Sequence, residues 1–294
     1  MFILVDVQRI IQIAAILKCL QWTKNSLLFI PAFFAAVDWT PILIYQLTLA
    51  FISFSCVASA VYVVNDWKDY FYDLQHPNKQ NKPNNISIAL NKVILLSVSL
   101  LLIGFGLSFY LGIKVLIYSI IYWLINLAYT FFLKKIPLLD LLPLILGYQL
   151  RLLIGGEIAN GHPSAWLISI ILVISLVLLV QKRQFEVLFY IESEIILRPT
   201  IPFYVRLPLA QIIKVLYGLI ALLYLSYCLF IFQQDNQKWI ILLTVPLVFA
   251  CLYYFWKLSK VYFFKDALQL YFTNWLMLLS TFVWLLIFYI ALYT

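Results

Sequence analysis

Charged residues are scarce in this 294-residue sequence, making up 11% of it, whereas hydrophobic residues make up 65%. A soluble domain would carry about 25% charged residues. The shortage of charge, together with a mean hydropathy of +1.00, excludes a soluble globular protein. Extramembrane domains and disordered tails are not expected either, because almost no polar sequence is left to form them.

Paired cysteines and alternating apolar segments are also lacking. The four cysteines, Cys19, Cys56, Cys228 and Cys251, lie singly in apolar stretches and show neither a CxxC pattern nor the spacing of metal ligands. They are therefore interpreted as packing residues. A transmembrane β-barrel would need short segments of alternating hydrophobicity, and their absence excludes that class.

Long apolar runs fill the sequence instead. A membrane-spanning helix uses about 20 apolar residues, so the length predicts an all-α, polytopic transmembrane bundle of about nine helices. We expect one integral membrane domain over residues 1–294. The predicted spans are 14–37, 42–64, 93–111, 114–133, 137–157, 165–181, 207–232, 239–256 and 270–292.

Basic residues outside the spans are divided unequally between the two sides of the predicted bundle. The side that holds two long polar loops, 65–91 and 181–206, carries 15 of them, whereas the other side carries only Lys114 and Lys238. The positive-inside rule therefore places the N-terminus and these loops in the cytoplasm and the C-terminus outside. We expect a multi-pass protein of the bacterial inner membrane with a cytoplasmic active site. The net charge of +8 favours anionic lipid or an anionic substrate over nucleic acid in so apolar a chain.

The segment that follows the second span is rich in carboxylates. Asp66, Asp69 and Asp73 are spaced at i, i+3 and i+7, so a helix places all three on one face. Close carboxylates repel one another unless a cation neutralises them, and Mg²⁺ binds carboxylate oxygens while bridging to substrate phosphates. The spacing therefore predicts a Mg²⁺ site. The alternative is a solvated acidic helix end.

The pattern NDxxDxxxD, from Asn65 to Asp73, resembles the first aspartate-rich motif of the UbiA-type intramembrane prenyltransferase superfamily. Further ordered motifs resemble one branch, the polyprenyl-phosphate (decaprenyl-phosphate) phosphoribosyltransferases. These motifs are QWxKN at Gln21–Asn25, HPxK at His76–Lys79, a Tyr-to-Lys segment at Tyr129–Lys135, IPxxD at Ile136–Asp140, RxxAG at Arg151–Gly156, SxWL at Ser164–Leu167 and KRxxE at Lys182–Glu186.

The sequence departs from the superfamily pattern in its second long loop. Members that act on aromatic substrates carry further aspartates there, whereas this chain has Lys182, Arg183 and Glu186. Cations in place of carboxylates suit a site that holds more phosphate. The first span also shows Lys18-Cys19 where the branch has Arg-Pro.

The resemblance implies a Mg²⁺-dependent transferase that moves 5-phosphoribose from phosphoribosyl diphosphate to a polyprenyl phosphate. It implies Asp66, Asp69 and Asp73 as metal ligands and catalytic residues, with Lys24 and Lys134 as catalytic cations. The implied substrate-binding residues are Asn65, Lys79, Asn126, Tyr129, Lys135, Arg151, Lys182, Arg183 and Glu186. The implied partners are a polyprenyl lipid, a phosphorylated or diphosphate co-substrate and membrane lipids.

Other interpretations of the same residues stay open. A prenyl diphosphate as donor, with an aromatic or other small acceptor, keeps the fold and reverses the role of the lipid. An anion transporter is a third hypothesis, which predicts ionisable residues near the bilayer midplane.

Single residues also have structural alternatives. The polar stripe Tyr122, Asn126, Tyr129 and Lys134 is suited to joining helices. Arg151 is suited to pairing with Glu157 or a backbone carbonyl. Lys24 has the length to snorkel to the interface, and Lys182 and Arg183 suit positive-inside anchors.

Overall fold

The protein is described by a computed structural model over residues 12–75, 89–261, 270–271 and 273–293, with side chains except at 71–75 and 261. These residues form helices and connecting turns, without a strand among them. The α-helices are α1 (Ile30–Phe34), α2 (Pro41–Gln75), α3 (Leu90–Leu111), α4 (Ile113–Phe131), α5 (Leu142–Ile158), α6 (Ala165–Ser193), α7 (Ile201–Val205), α8 (Leu209–Gln234), α9 (Thr244–Val261) and α10 (Trp275–Tyr293). Shorter 3-10 segments cover Cys19–Leu28, Leu133–Lys135 and Asn236–Leu243.

The prediction of an all-α membrane bundle is confirmed. Within the described ranges, seven helices are long and apolar enough to cross a membrane. Two of the predicted spans correspond to shorter helices. Span 137–157 corresponds to α5, which has 17 residues, and span 14–37 corresponds to the region around α1.

The first predicted span, 14–37, is broken rather than continuous. Lys18 has a φ of 52°, a left-handed conformation that interrupts an α-helix, and the 3-10 segment Cys19–Leu28 follows. A side-chain bond holds this segment against α2, because Trp22 Nε1 donates to Ser59 Oγ at 2.9 Å. Hydropathy identifies the apolar run, but it contains no information about hydrogen bonds between distant residues.

Two helices extend beyond the predicted membrane boundary. α2 continues to Gln75 and α6 to Ser193, so the prediction that residues 65–75 and 181–193 lie in loops is wrong. Polar residues end the apolar run in each case, but the backbone hydrogen bonds of the helix continue through them. α6 ends where Glu194 takes a left-handed φ of 58°.

The described residues divide into two compact units. The first comprises the residues up to Pro163 together with Ile195–Thr200, and the second comprises Ser164–Glu194 and the residues from Ile201 onward. The single domain over residues 1–294 stays a prediction.

The core of the first unit lies between α2, α4 and α5. Phe54, Tyr122 and Ile154 are buried in one cluster, and the rings of Phe54 and Tyr122 lie 4.5 Å apart. The 3-10 segment reaches α5 at Gly155, where a Cβ would lie 2.0 Å from the carbonyl oxygen of Leu28. Only glycine permits this approach, which brings the first segment of the chain to α5.

The core of the second unit lies between α6, α7 and α8. Val180, Ile201 and Ile213 are buried in one cluster, and Val173 packs with Ile220 in another. This packing fixes the C-terminal part of α6, which carries the second group of predicted site residues.

Candidate active site

The predicted carboxylates lie near the end of α2, and each contacts a lysine. Lys18 Nζ donates to Asp66 Oδ1, and Lys134 Nζ donates to Asp69 Oδ1. All four side chains are partly buried. The two aspartates are one helical turn apart, as their spacing predicts. The chain therefore brings lysines from two distant segments to one face of α2.

The third predicted carboxylate cannot be placed in the same way. Asp73 falls within α2, but its side chain lies outside the described residues, as does the whole of Lys79. Within the described part, no group of three or more His, Cys, Asp or Glu side chains could hold a metal ion. The three-carboxylate face therefore stays a prediction.

Asp66 and Asp69 nevertheless have the chemistry of a Mg²⁺ site. Each uses Oδ1 for its lysine, and the Oδ2 atom of each accepts no hydrogen bond from the described residues. Hard carboxylate oxygens of this kind fit Mg²⁺, which keeps several waters and takes only one or two carboxylates from the protein. The lysines add positive charge suited to phosphate.

The polar stripe along α4 connects directly to this face. Thr130 Oγ1 donates to the carbonyl oxygen of Asn126 at 2.9 Å and lies 3.4 Å from Asn65 Oδ1. Asn126 Nδ2 donates to the carbonyl oxygen of Tyr122 at 2.8 Å. Asn65 is thus held beside α4, next to Asp66. Asn126 bonds within its own helix, whereas the neighbouring Thr130 reaches Asn65 of α2.

Arg151 is buried in the core of the first unit. Its Nε donates to Asn25 Oδ1 at 2.8 Å and its Nη1 donates to the carbonyl oxygen of Gly147 at 2.6 Å. The guanidinium carbon lies 4.7 Å from the ring centre of Phe54 and 5.3 Å from that of Tyr122. The interpretation of Arg151 as bonded to a backbone carbonyl is thereby supported.

The alternative partner of Arg151, Glu157, is engaged elsewhere. Glu157 pairs with Lys114 at 3.0 Å. Arg151 forms no ion pair with a described residue, and the pairing with Glu157 is wrong.

Two other predicted cations of the first unit have fewer contacts. The side chain of Lys24 is partly buried and forms no ion pair or hydrogen bond with the described residues, while Lys135 is exposed. Their assignments as catalytic and substrate-binding residues stay predictions.

The predicted cations of the second unit differ sharply in burial. Lys182 is exposed, whereas Arg183 and Glu186 are each 1% exposed and form an ion pair one turn apart on α6. The Arg183 guanidinium also lies 5.8 Å from the ring centre of Tyr204. Lys182 is therefore exposed to solvent, while Arg183 is buried in the interior of its unit.

Sequence reasoning missed three residues that the structure places at the site of the first unit. Lys18 pairs with Asp66, Arg198 Nη1 donates to the hydroxyl of Tyr129 at 2.9 Å, and Asn25 Oδ1 accepts from Arg151. A lysine in an apolar run has a desolvation cost that a carboxylate would offset, and this was the signal for Lys18. The other two lacked a signal, because their partners lie far away in the chain.

Comparison with known proteins agrees with these observations. The model of the UbiA prenyltransferase family matches residues 26–272. The decaprenyl-phosphate phosphoribosyltransferase of Corynebacterium glutamicum is 30% identical over 175 residues, which cover 58% of this chain and 53% of that protein. The enzyme of the same name from Mycobacterium tuberculosis is 27% identical over 259 residues, with 82% of each chain covered. The resemblance inferred from the motifs is confirmed.

Other relatives match over a smaller part of their length. The Sinorhizobium fredii protein y4nM is 28% identical over 176 residues, which cover 58% of this chain and 33% of that protein. The chain thus spans about a third of this relative and about half of the Corynebacterium glutamicum enzyme.

Two solved structures share the fold. A UbiA homologue from Archaeoglobus fulgidus, bound to GPP and Mg²⁺, has a TM-score of 0.69 at 13% identity, covering 96% of this chain and 100% of that chain. A digeranylgeranylglyceryl phosphate synthase has a TM-score of 0.62 at 20% identity, covering 97% of this chain and 99% of that chain. At these identities the likeness establishes the helical architecture.

Proposed function

The chain belongs to the UbiA prenyltransferase family and is a multi-pass membrane transferase, and from this premise we propose that it transfers 5-phosphoribose from phosphoribosyl diphosphate to a polyprenyl phosphate. The observation that carries the proposal is the pairing of Asp66 and Asp69 with Lys18 and Lys134. A site that combines carboxylates and cations is suited to holding both Mg²⁺ and phosphate. The relatives named as phosphoribosyltransferases add support for the branch.

In the proposed reaction, the bond between the ribose anomeric carbon and the diphosphate oxygen breaks. The diphosphate leaves with the electron pair, and an oxygen of the lipid phosphate forms the new bond to that carbon. The lipid phosphate is already ionised at pH 7, so no residue has to remove a proton. Lys18 and Lys134 stabilise the negative charge that grows on the leaving group.

Asp66, Asp69 and Asp73 would hold Mg²⁺, and Asn65 beside them would orient the diphosphate. The ion, when bound, supplies Lewis-acid stabilisation of the leaving diphosphate. Lys24 and Lys135, with Lys79 outside the described residues, are proposed to add positive charge for the two phosphorylated substrates.

The lipid phosphate is proposed to be positioned by cations, with its isoprenoid chain along apolar helices. In the first unit, Arg151 is proposed to supply the positive charge, and Asn126 and Tyr129 are proposed to supply polar groups. In the second unit, Lys182 is proposed to contact a phosphorylated substrate from solvent, and Arg183 and Glu186 hold the end of α6 in shape.

The surroundings of Arg151 favour a phosphorylated sugar donor over a prenyl donor. An allylic carbocation would need open aromatic faces for cation–π contact. The Arg151 guanidinium lies against the rings of Phe54 and Tyr122 instead, so both rings already contact a cation. Transfer of a prenyl group to an aromatic or other small acceptor is therefore the second candidate.

The site is proposed to face the cytoplasm of a bacterial cell, in the inner membrane. The basic residues cluster on that side of the sequence-based topology. A cytoplasmic site would meet a water-soluble phosphorylated donor directly and take its lipid acceptor from the bilayer.

A donor screen on the purified protein tests the proposal. Phosphoribosyl diphosphate with a polyprenyl phosphate should give a lipid-linked phosphosugar, identified by mass, and added Mg²⁺ should be required. Consumption of a prenyl diphosphate with an aromatic acceptor would support the second candidate. Flux of a phosphorylated solute into proteoliposomes without product would support the transporter hypothesis.

A further inference from the structure

A short segment after α6 belongs to the first unit rather than to the second. Residues Ile195–Thr200 follow α6 and precede α7 in the chain, and both of those helices are part of the second unit. The segment itself clusters with the first unit, which carries Asp66 and Asp69. Contacts within the first unit must therefore hold it.

Buried groups fix this segment. Thr200 Oγ1 donates to Asp140 Oδ2 at 3.3 Å, and both residues are 0% exposed. Leu197 is buried as well. A hydrogen bond to a buried carboxylate contributes more than one between neutral groups. The segment is therefore held in one position at its C-terminal end.

The segment places an arginine beside the polar stripe of α4. Arg198 Nη1 donates to the hydroxyl of Tyr129 at 2.9 Å, and Arg198 is partly exposed. Tyr129 precedes Thr130, whose hydroxyl reaches Asn65. The arginine thus contacts α4 at the residue next to Thr130, and Thr130 contacts Asn65 of the carboxylate motif.

We propose that Arg198 binds a phosphate group of a substrate at this end of the first unit. The planar guanidinium presents five N–H donors in a fork that matches phosphate, and the Tyr129 hydroxyl accepts a hydrogen bond from one of its nitrogens at 2.9 Å. The buried Thr200–Asp140 bond holds the arginine in position before the substrate arrives. The inference rests on the proposed function only in requiring a phosphorylated substrate, whichever group is transferred.

The test is direct binding to the purified full-length protein with Mg²⁺ present. The probes are phosphoribosyl diphosphate and inorganic diphosphate for the donor, farnesyl phosphate for the lipid phosphate, and geranyl diphosphate for the second candidate function. The variants are Arg198→Gln, Arg198→Lys and the matched control Arg206→Gln, an exposed arginine of the same region in the second unit. Thermal unfolding is recorded for each.

Arg198→Gln is expected to weaken at least one probe about tenfold or more at an unchanged unfolding temperature, as loss of a charge-assisted contact would. Arg198→Lys should lose a smaller part, since it keeps the charge without the fork. Arg206→Gln should bind like the wild type. Weaker binding of the diphosphates identifies the donor as the ligand, and weaker binding of farnesyl phosphate identifies the lipid.

Wild-type binding of every probe by Arg198→Gln, or an equal loss in Arg206→Gln, overturns the inference. If Arg198→Gln does not fold, unchanged binding by a folded Arg198→Lys assigns a structural role and also overturns it. A wild type that binds geranyl diphosphate but not phosphoribosyl diphosphate contradicts the proposed function alone. The inference about Arg198 is then tested by comparing the binding of geranyl diphosphate to Arg198→Gln and to the wild type.

Discussion

Asp66 and Asp69 each lie within reach of a lysine and keep one oxygen for another ligand. Replacing either by asparagine retains the shape of the side chain but removes the charge that a divalent cation requires. We expect Asp66→Asn and Asp69→Asn to lower turnover at least about tenfold, because loss of a group that stabilises the transition state costs 1.4 kcal/mol or more. Initial rates with and without added Mg²⁺ measure this.

Asp38→Asn provides the matched control, since Asp38 is an exposed aspartate elsewhere in the first unit. Its turnover should equal that of the wild type, and circular dichroism should show the same helix content in all variants. Undiminished wild-type turnover in excess chelator would contradict the metal assignment.

Lys182 and Arg183 are neighbours in sequence with opposite environments. Arg183 is buried with Glu186, so Arg183→Met leaves a buried carboxylate without this partner, a change that typically costs about 3–5 kcal/mol. The double variant Arg183→Met/Glu186→Met removes both charges and should recover much of that loss. Unfolding by heat or denaturant measures both.

Lys182→Gln should leave stability unchanged, because Lys182 is exposed. It should weaken binding of a phosphorylated substrate if this end of α6 serves phosphate. If Lys182→Gln lost as much stability as Arg183→Met, the difference in burial between Lys182 and Arg183 would not explain the stability loss of Arg183→Met.

Between elements, the contact of α5 with the 3-10 segment depends on Gly155. A Cβ at this position would meet the Leu28 carbonyl at 2.0 Å, so Gly155→Ala must push the segment away from α5. We expect a loss of about 1–3 kcal/mol, typical of overpacking, and a weaker bond between Asn25 and Arg151. The unfolding temperature reports the first effect.

Gly106→Ala serves as the control for this substitution. Gly106 lies in α3, and a Cβ there would meet no atom within 4 Å. Its unfolding temperature should not fall, because alanine favours a helix over glycine. Equal losses in both variants would mean that the added methyl group itself, rather than the close approach at Gly155, explains the effect.

The sequence was sufficient to predict an all-α bundle, because hydrophobic runs of membrane length have few other solutions, but not the break at Lys18 or the ends of α2 and α6. It also placed Asp66 and Asp69 on one face, since helical spacing determines that face. It failed for Lys18 and Arg198, whose partners are 48 and 69 residues away. The sequence also did not predict the burial of Arg183. A charged residue is expected to be exposed, whereas the burial of Arg183 with Glu186 depends on tertiary packing.

At the scale of the whole molecule, the distribution of basic residues predicts the orientation in the membrane. The regions of Asp73 and Glu192 should face the cytoplasm, and Thr294 should face the other side. Single cysteines at these positions, introduced after removal of the four native ones, should react with a membrane-impermeant reagent in that pattern. Labelling of the Asp73 region from outside intact cells would refute the orientation.

The bond between Thr200 and Asp140 joins residues 60 positions apart, and α6 lies between them in the chain. A ribosome therefore delivers Asp140 to the membrane well before its threonine is synthesised. The first unit obtains this buried contact only after α6 has been synthesised. The two units are therefore not completed one after the other during synthesis. The first unit needs Ile195–Thr200, and the ribosome makes this segment only after it has made α6 of the second unit.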